Sequence, residues 1–176
     1  FVQNISPNIA PYAHVLNTKL MNSKHLKDLD AAYYFIYLRD IKNAIHLYRE
    51  ENIPLFTELT NKAQKFGEIS AQMMVQVDGK DLTLQQASVH LKSIDRDKRK
   101  AVFELINERR TEDQTSLDVL LDELISKRQE LARNANFENF RDYKFQAMGR
   151  FDYTKEDCFD FHTSIEKEIV PLIADI

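Results

Sequence analysis

Apolar residues recur at helical spacing along most of the chain. Asp28 or Asp30 can cap a helix that runs to about Glu51, with Tyr33, Ile36, Ile41, Ile45 and Tyr48 among its apolar positions. Pro54 fits the first turn of a second helix, where its missing N–H costs nothing, and that helix extends to about Ser70. The period then changes. Met73, Val75 and Val77 alternate with Met74, Gln76 and Asp78, and Asp78-Gly79 is a hairpin turn signal, so a return strand from Lys80 to Thr83 is expected.

Beyond the hairpin the helical period returns. Thr83 starts a helix with Leu84, Ala87 and Leu91 as its apolar members, and Asp95 resembles an N-cap before a helix faced by Val102, Leu105 and Ile106. Leu117, Leu120, Leu121, Leu124, Ile125 and Leu131 form the stripe of a third long helix, which Asn134 to Asn136 would end in a left-handed cap. A shorter helix is expected from about Asn139 to Met148, with Phe140, Tyr143 and Phe145 on more than one side. Thr154 and Asp157 form a variant capping box that opens the last helix. The pattern predicts a mainly α fold: a bundle-like array of about six helices with one short β-hairpin near Asp78-Gly79.

Composition agrees. Three Gly and four Pro in 176 residues are few for an all-β sandwich, and 43% hydrophobic residues can build a core. A net charge of -4, from 24 basic and 28 acidic residues, provides no basic field for nucleic acid. No membrane partner is expected, because the longest apolar run, Ala31 to Leu38, is far shorter than the ~20 residues of a spanning helix. No secretory signal is visible, and one Cys permits no internal disulfide, so a cytoplasmic location is expected. Phe161, Ile165, Ile169, Leu172, Ile173 and Ile176 carry an apolar stripe to the last residue. The chain is therefore expected to be truncated, and to self-associate through that stripe.

Three segments carry a family resemblance: YFIYLRDIKNAIHLYREENIPLF from Tyr34 to Phe56, VQVDGKDLTLQQASVHLKSIDRDKRKAVFELINERR from Val75 to Arg110, and ELARNANFENFRDYKFQAMGRFDYTKEDCFDFHTSIEKEIVP from Glu130 to Pro171. The third resembles the stretch that leads into the catalytic domain of oligoendopeptidase F and its relatives among the thimet-oligopeptidase-like zinc peptidases. The resemblance implies a helical body around a deep channel that admits short, unfolded oligopeptides. It also implies zinc held by a His-Glu-Xaa-Xaa-His helix and a later Glu, with the motif's own Glu as general base.

That motif is not in this sequence. His14, His25, His46, His90 and His162 are followed by Val, Leu, Leu, Leu and Thr, and no His lies three residues after a Glu. Residues 1–176 are therefore expected to be a helical, non-catalytic portion of a larger metallopeptidase. That portion would supply helices of the channel wall, with zinc in the parent protein, no cofactor in this portion and no catalytic residue here.

Cys158, His162 and Glu166, spaced by four on the last helix, are a candidate metal set that lacks a fourth ligand. The resemblance assigns no zinc ligand to them. His46 and Glu50 share the spacing and suit a surface hydrogen bond. Arg150, Asp152 and Tyr153 occupy a turn between helices, where they could lock the junction or line a channel, and Asp95 to Lys100 reads as a solvated helix start. The alternative function is a helical module that binds a peptide or protein partner without catalysis.

Overall fold

A computed structural model of the chain describes residues 1–174. The fold is mainly α. Helices α1 (Ser6–Met21), α2 (Phe35–Leu47) and α3 (Asn52–Ala71) precede strands β1 (Met74–Val77) and β2 (Lys80–Thr83); α4 (Leu84–Ala87), α5 (Arg96–Glu112), α6 (Gln114–Asn134), α7 (Phe140–Ala147), α8 (Lys155–Glu168) and α9 (Val170–Ala174) follow. Short 3-10 turns occupy Leu26–Asp28 and Ser88–Lys92.

Asp95 caps α5 as expected, accepting hydrogen bonds from the N–H groups of Asp97 and Lys98; Asp30 accepts from those of Ala32 and Tyr33 in the turn before α2, whose own N-cap, Tyr34, has no side-chain cap. Thr83 with Gln86 and Thr154 with Asp157 close reciprocal capping boxes. Asn136, at φ 64, ends α6 in the left-handed region. Asp78 and Gly79 both have positive φ, 52 and 74, which gives the two-residue turn that matches strand twist. The pairing runs from Met74 opposite Thr83 to Val77 opposite Lys80. A lone hairpin is marginal; here Val75 and Val77 are buried against Ala87, Val102 and Ile106, and Lys98 on α5 holds Asp78 at 2.6 Å.

Three features differ from expectation. Helix α1 is additional to the expected elements, with Pro7 in its first turn and Pro11 inside it; none of its residues is buried, and Ile9, Tyr12, Val15 and Leu16 are exposed. Helix α2 stops at Leu47 because Tyr48 is extended (ψ 128), which removes the expected last turn to Glu51 and with it the helical register of His46 and Glu50. The C-terminal stripe is interrupted at Ile169: Pro171 has no N–H with which to continue the ladder, and a separate helix starts at Val170. Ile176 lies outside the described residues.

One core sits on the antiparallel pair α3 and α6, and a second lies between the hairpin, α4 and α5. The first joins Leu55, Leu131, Ala132, Ala135 and Tyr143; the second is the hairpin core. The pair is bridged by Glu58 to Lys127 at 2.7 Å and Lys62 to Glu123 at 2.5 Å. At the first core, Asn52 is fully buried; its Nδ2 donates to the Leu131 carbonyl at 3.0 Å and its Oδ1 accepts from Asn134 Nδ2 at 2.9 Å. Arg49 donates to the carbonyls of His46 and Tyr48 at the end of α2, and to those of Asn134 and Ala135 at the end of α6.

Replacing Asn52 by Leu would strip the Asn134 amide of its acceptor and leave the Leu131 carbonyl one donor short. Urea unfolding is expected to show Asn52→Leu destabilised by about 1–3 kcal/mol, whereas Asn8→Ala at an exposed position changes stability by less than about 0.5 kcal/mol.

Candidate functional site

The segment richest in aromatic, Arg and Asp residues folds as the α6–α7–α8 junction, and its side chains mostly hold one another. Four guanidinium groups lie over aromatic rings: Arg39 over Phe151 at 4.4 Å, Arg128 over Phe140 at 5.8 Å, Arg141 over Phe159 at 5.5 Å, and Arg150 over Phe145 at 5.4 Å and Tyr153 at 6.0 Å. A chain of this length would ordinarily carry about two significant contacts of this kind. Phe145 and Tyr153 also meet edge to face at 5.4 Å. Arg150 and Tyr153 thus lock the turn between α7 and α8.

Asp142 is the electrostatic centre of the junction. Its carboxylate accepts from Arg141 at 2.9 Å, Asn139 at 3.1 Å and Lys155 at 3.3 Å, joining α7 to the first turn of α8. The Arg141 guanidinium holds the Asp142 carboxyl below the usual carboxylate range, with further help from Lys155 and Asn139. Asp157 is held low in the same direction by the Thr154 N–H and hydroxyl of the capping box. Tyr143, in the core beside them, has its phenol pushed up by burial, against a smaller downward pull from Arg49.

The candidate metal set is placed differently. Cys158 is half-buried and carries a free thiol, while His162 and Glu166 are exposed farther along α8. Residues at i and i+8 of a helix are about 12 Å apart along the axis, whereas zinc ligands lie about 2.0–2.3 Å from the ion. Among the described residues, no group of three His, Cys, Asp or Glu side chains converges to hold a metal. Cys158, His162 and Glu166 therefore do not fit a zinc centre. The spacing put all three on one helix face but left the axial separation out.

Large apolar residues lie on the exterior. Phe159, Phe161, Ile165, Ile169, Val170, Leu172 and Ile173 are exposed along α8 and α9, and Phe56, Phe66, Val119, Leu121 and Ile125 along the α3–α6 pair. The accessible area is 13152 Å², against about 8,900 Å² for a compact monomer of this mass. No helix of the described residues is long and apolar enough to cross a membrane.

Residues 89–176 match the family model described as Peptidase family M3, which covers half of the chain. The chain belongs to peptidase family M3. In architecture it is similar to the crystal structure of a protein described as an oligoendopeptidase F from Bacillus anthracis strain Ames, with a TM-score of 0.87 and 23% identity over 97% of this chain. A second oligoendopeptidase F structure gives a TM-score of 0.86 at 22% identity over 96% of the chain, and PZ peptidase A with inhibitor 2 gives 0.85 at 22% over 95%. The chain spans 31%, 30% and 30% of the length of these three structures. No match was found among curated proteins. The M3 match includes α6, α7 and α8, which Asp142 and the stacked Arg128, Arg141 and Arg150 tie together.

Both depressed carboxyls have a linked effect on stability. A folded-state pKa below the unfolded value of about 3.9 contributes stability that is present above that value and is lost as pH falls through the folded one. In thermal unfolding between pH 2 and pH 7, Asp142→Asn is expected to be less stable than wild type at neutral pH. The gap should close as pH falls below about 4; a gap that stays constant across the range would remove Asp142 from the acid response.

Proposed function

We propose that this chain is a helical wall of the substrate channel in a zinc metallopeptidase that hydrolyses short, unfolded peptides. Membership of peptidase family M3 supports the reaction class, and the three similar structures support the architecture. The observation that carries the wall assignment is the surface. About 4,000 Å² more area is exposed than a compact body of this mass needs, and the exposed residues include large apolar ones that a second layer of protein would cover. A self-sufficient partner-binding module would not need so much of its exterior covered.

In this reading the chain supplies shape rather than chemistry. The α3–α6 pair and the locked α7–α8 turn form a rigid face, and the zinc, with the His-Glu-Xaa-Xaa-His helix that holds it, belongs to sequence beyond Ile176. Zinc bound there would supply the polarised carbonyl and activated water of peptide hydrolysis. The single free thiol, Cys158, suits a cytoplasmic setting. The deciding experiment is to read the gene onward from Ile176. A His-Glu-Xaa-Xaa-His sequence is expected within about 150–250 residues, a span set by ordinary domain size. Its absence from a longer open frame would sink the assignment.

The 176-residue chain alone is expected to retain no stoichiometric zinc after dialysis against a mild chelator, and to leave a quenched-fluorescence oligopeptide uncut. One zinc per chain, lost on Cys158→Ala or His162→Ala, would reverse this. The same chain should also associate with itself through the apolar face of α8 and α9, most simply as a symmetric dimer. Sedimentation at micromolar and submillimolar concentrations is expected to shift above the 20.7 kDa monomer. A monomer at both concentrations would contradict the uncovered wall.

A further inference from the structure

Of the three glycines in the sequence, Gly79 alone follows an Asp or Asn, and it does so at the tip of the hairpin. Asp78 and Gly79 both sit in the left-handed region. The ladder closes at the Val77 and Lys80 pair, which leaves the Gly79 N–H outside it, and no atom lies within 4 Å of where a Cβ on Gly79 would stand. The Asp78 side chain is exposed. Its Oδ2 accepts from Lys98 Nζ at 2.6 Å, a contact that reaches from α5 to the turn across 20 residues of sequence. Lys98 holds the Asp78 carboxyl below the usual carboxylate range, with smaller pulls from His90 in the 3-10 turn and Lys80 on β2.

An Asp followed by Gly carries an electrophile and a nucleophile on adjacent residues, and Gly has no side chain to obstruct their meeting. When the carboxyl is neutral, the Gly79 nitrogen can attack Asp78 Cγ. A C–N bond forms, the bond from Cγ to the hydroxyl breaks, and the hydroxyl leaves as water with the proton of the nitrogen. The product is a five-membered imide, and water then opens it. Hydrolysis of the bond to Cγ restores Asp78, whereas hydrolysis of the bond to the main-chain carbonyl carbon leaves isoaspartate, whose main chain runs through the former side chain and is one carbon longer. An ionised carboxylate resists the first step, because its oxygen would have to leave as oxide. We infer that Asp78-Gly79 is a self-modification site that forms isoaspartate through this imide, and that the contact with Lys98 suppresses the reaction. Lys98 is thus a positioning residue that keeps the carboxylate ionised and tied to α5. One extra main-chain carbon in a two-residue turn would break the register that buries Val75 and Val77. The inference stands on the turn and needs neither zinc nor the peptidase assignment.

Prolonged incubation of the 176-residue chain at body temperature and mildly acidic pH, followed by tryptic peptide mapping, tests it. Asp78 is the only Asp in the tryptic peptide of residues 66–80, so a product of unchanged mass and shifted retention that accepts a methyl group from isoaspartyl methyltransferase reports this site alone. Lys98→Met is expected to accumulate isoaspartate about two- to fivefold faster than wild type, the range that an exposed ion pair can supply. Lys98→Arg keeps the charge and should stay at the wild-type rate. Salt at about 1 M screens the pair without a substitution, and should speed the wild type while leaving Lys98→Met unchanged. Three results would overturn the inference: no isoaspartate at Asp78 in any of these proteins, equal rates in wild type and Lys98→Met, or Lys98→Arg as fast as Lys98→Met, which would assign the effect to loosened packing rather than to charge. Should Lys98→Met fail to fold, the wild type decides alone, since a rate that salt does not change would remove Lys98 from the protection of the turn.

Discussion

Everything at one end of this molecule depends on how the exposed carbonyls of two helix ends are satisfied in a single place. The last carbonyls of α2 and α6 have no partner within their own helices and carry the negative end of the helix dipole. Arg49 reaches both sets, donating to His46 and Tyr48 on one side and to Asn134 and Ala135 on the other. Three residues later Asn52, wholly buried, ties the first turn of α3 to the Leu131 carbonyl and the Asn134 side chain. The short link between α2 and α3 therefore fixes three helices at once. Leu131, Ala132 and Ala135 are then presented to Leu55 and Tyr143, and α7 has a surface to pack on.

The rest of the architecture extends from that joint along the α3–α6 pair. Its cross-links, Glu58 to Lys127 and Lys62 to Glu123, are surface ion pairs worth little individually. Apolar burial is instead concentrated in two cores, one on the pair around Leu55 and Leu131 and one between the hairpin, α4 and α5. Such a layout leaves much surface open for its mass.

Local chemistry in the sequence was enough to place the elements that are held locally. Asp78-Gly79, Asp95, Asn136 and the Thr154–Asp157 box act within a few residues of themselves, so their spacing carried their structure. Asn52 and Arg49 act on partners 79 to 86 residues away, and no period or spacing reveals such a partner. Helix α1 carries Ile9, Ala13, Leu16 and Leu20 at helical spacing, a signal that could have found it, although none of its residues is buried. The Cys158, His162 and Glu166 set shows the opposite error, since residues in angular register along a helix need not be near enough to share an ion.

The aromatic and Arg-rich run that made the family legible does its work by stacking. Arg39, Arg128, Arg141 and Arg150 are spent on Phe151, Phe140, Phe159, Phe145 and Tyr153, and Asp142 is spent on Arg141, Asn139 and Lys155. Each of these residues is constrained by a partner in the same junction, so replacing any one of them strands another. A guanidinium stacked on a ring and bonded to a carboxylate cannot be exchanged for lysine without loss, because the planar fork makes both contacts. A family can be legible in such a junction because the residues that set the angle between α7 and α8 are bound to each other.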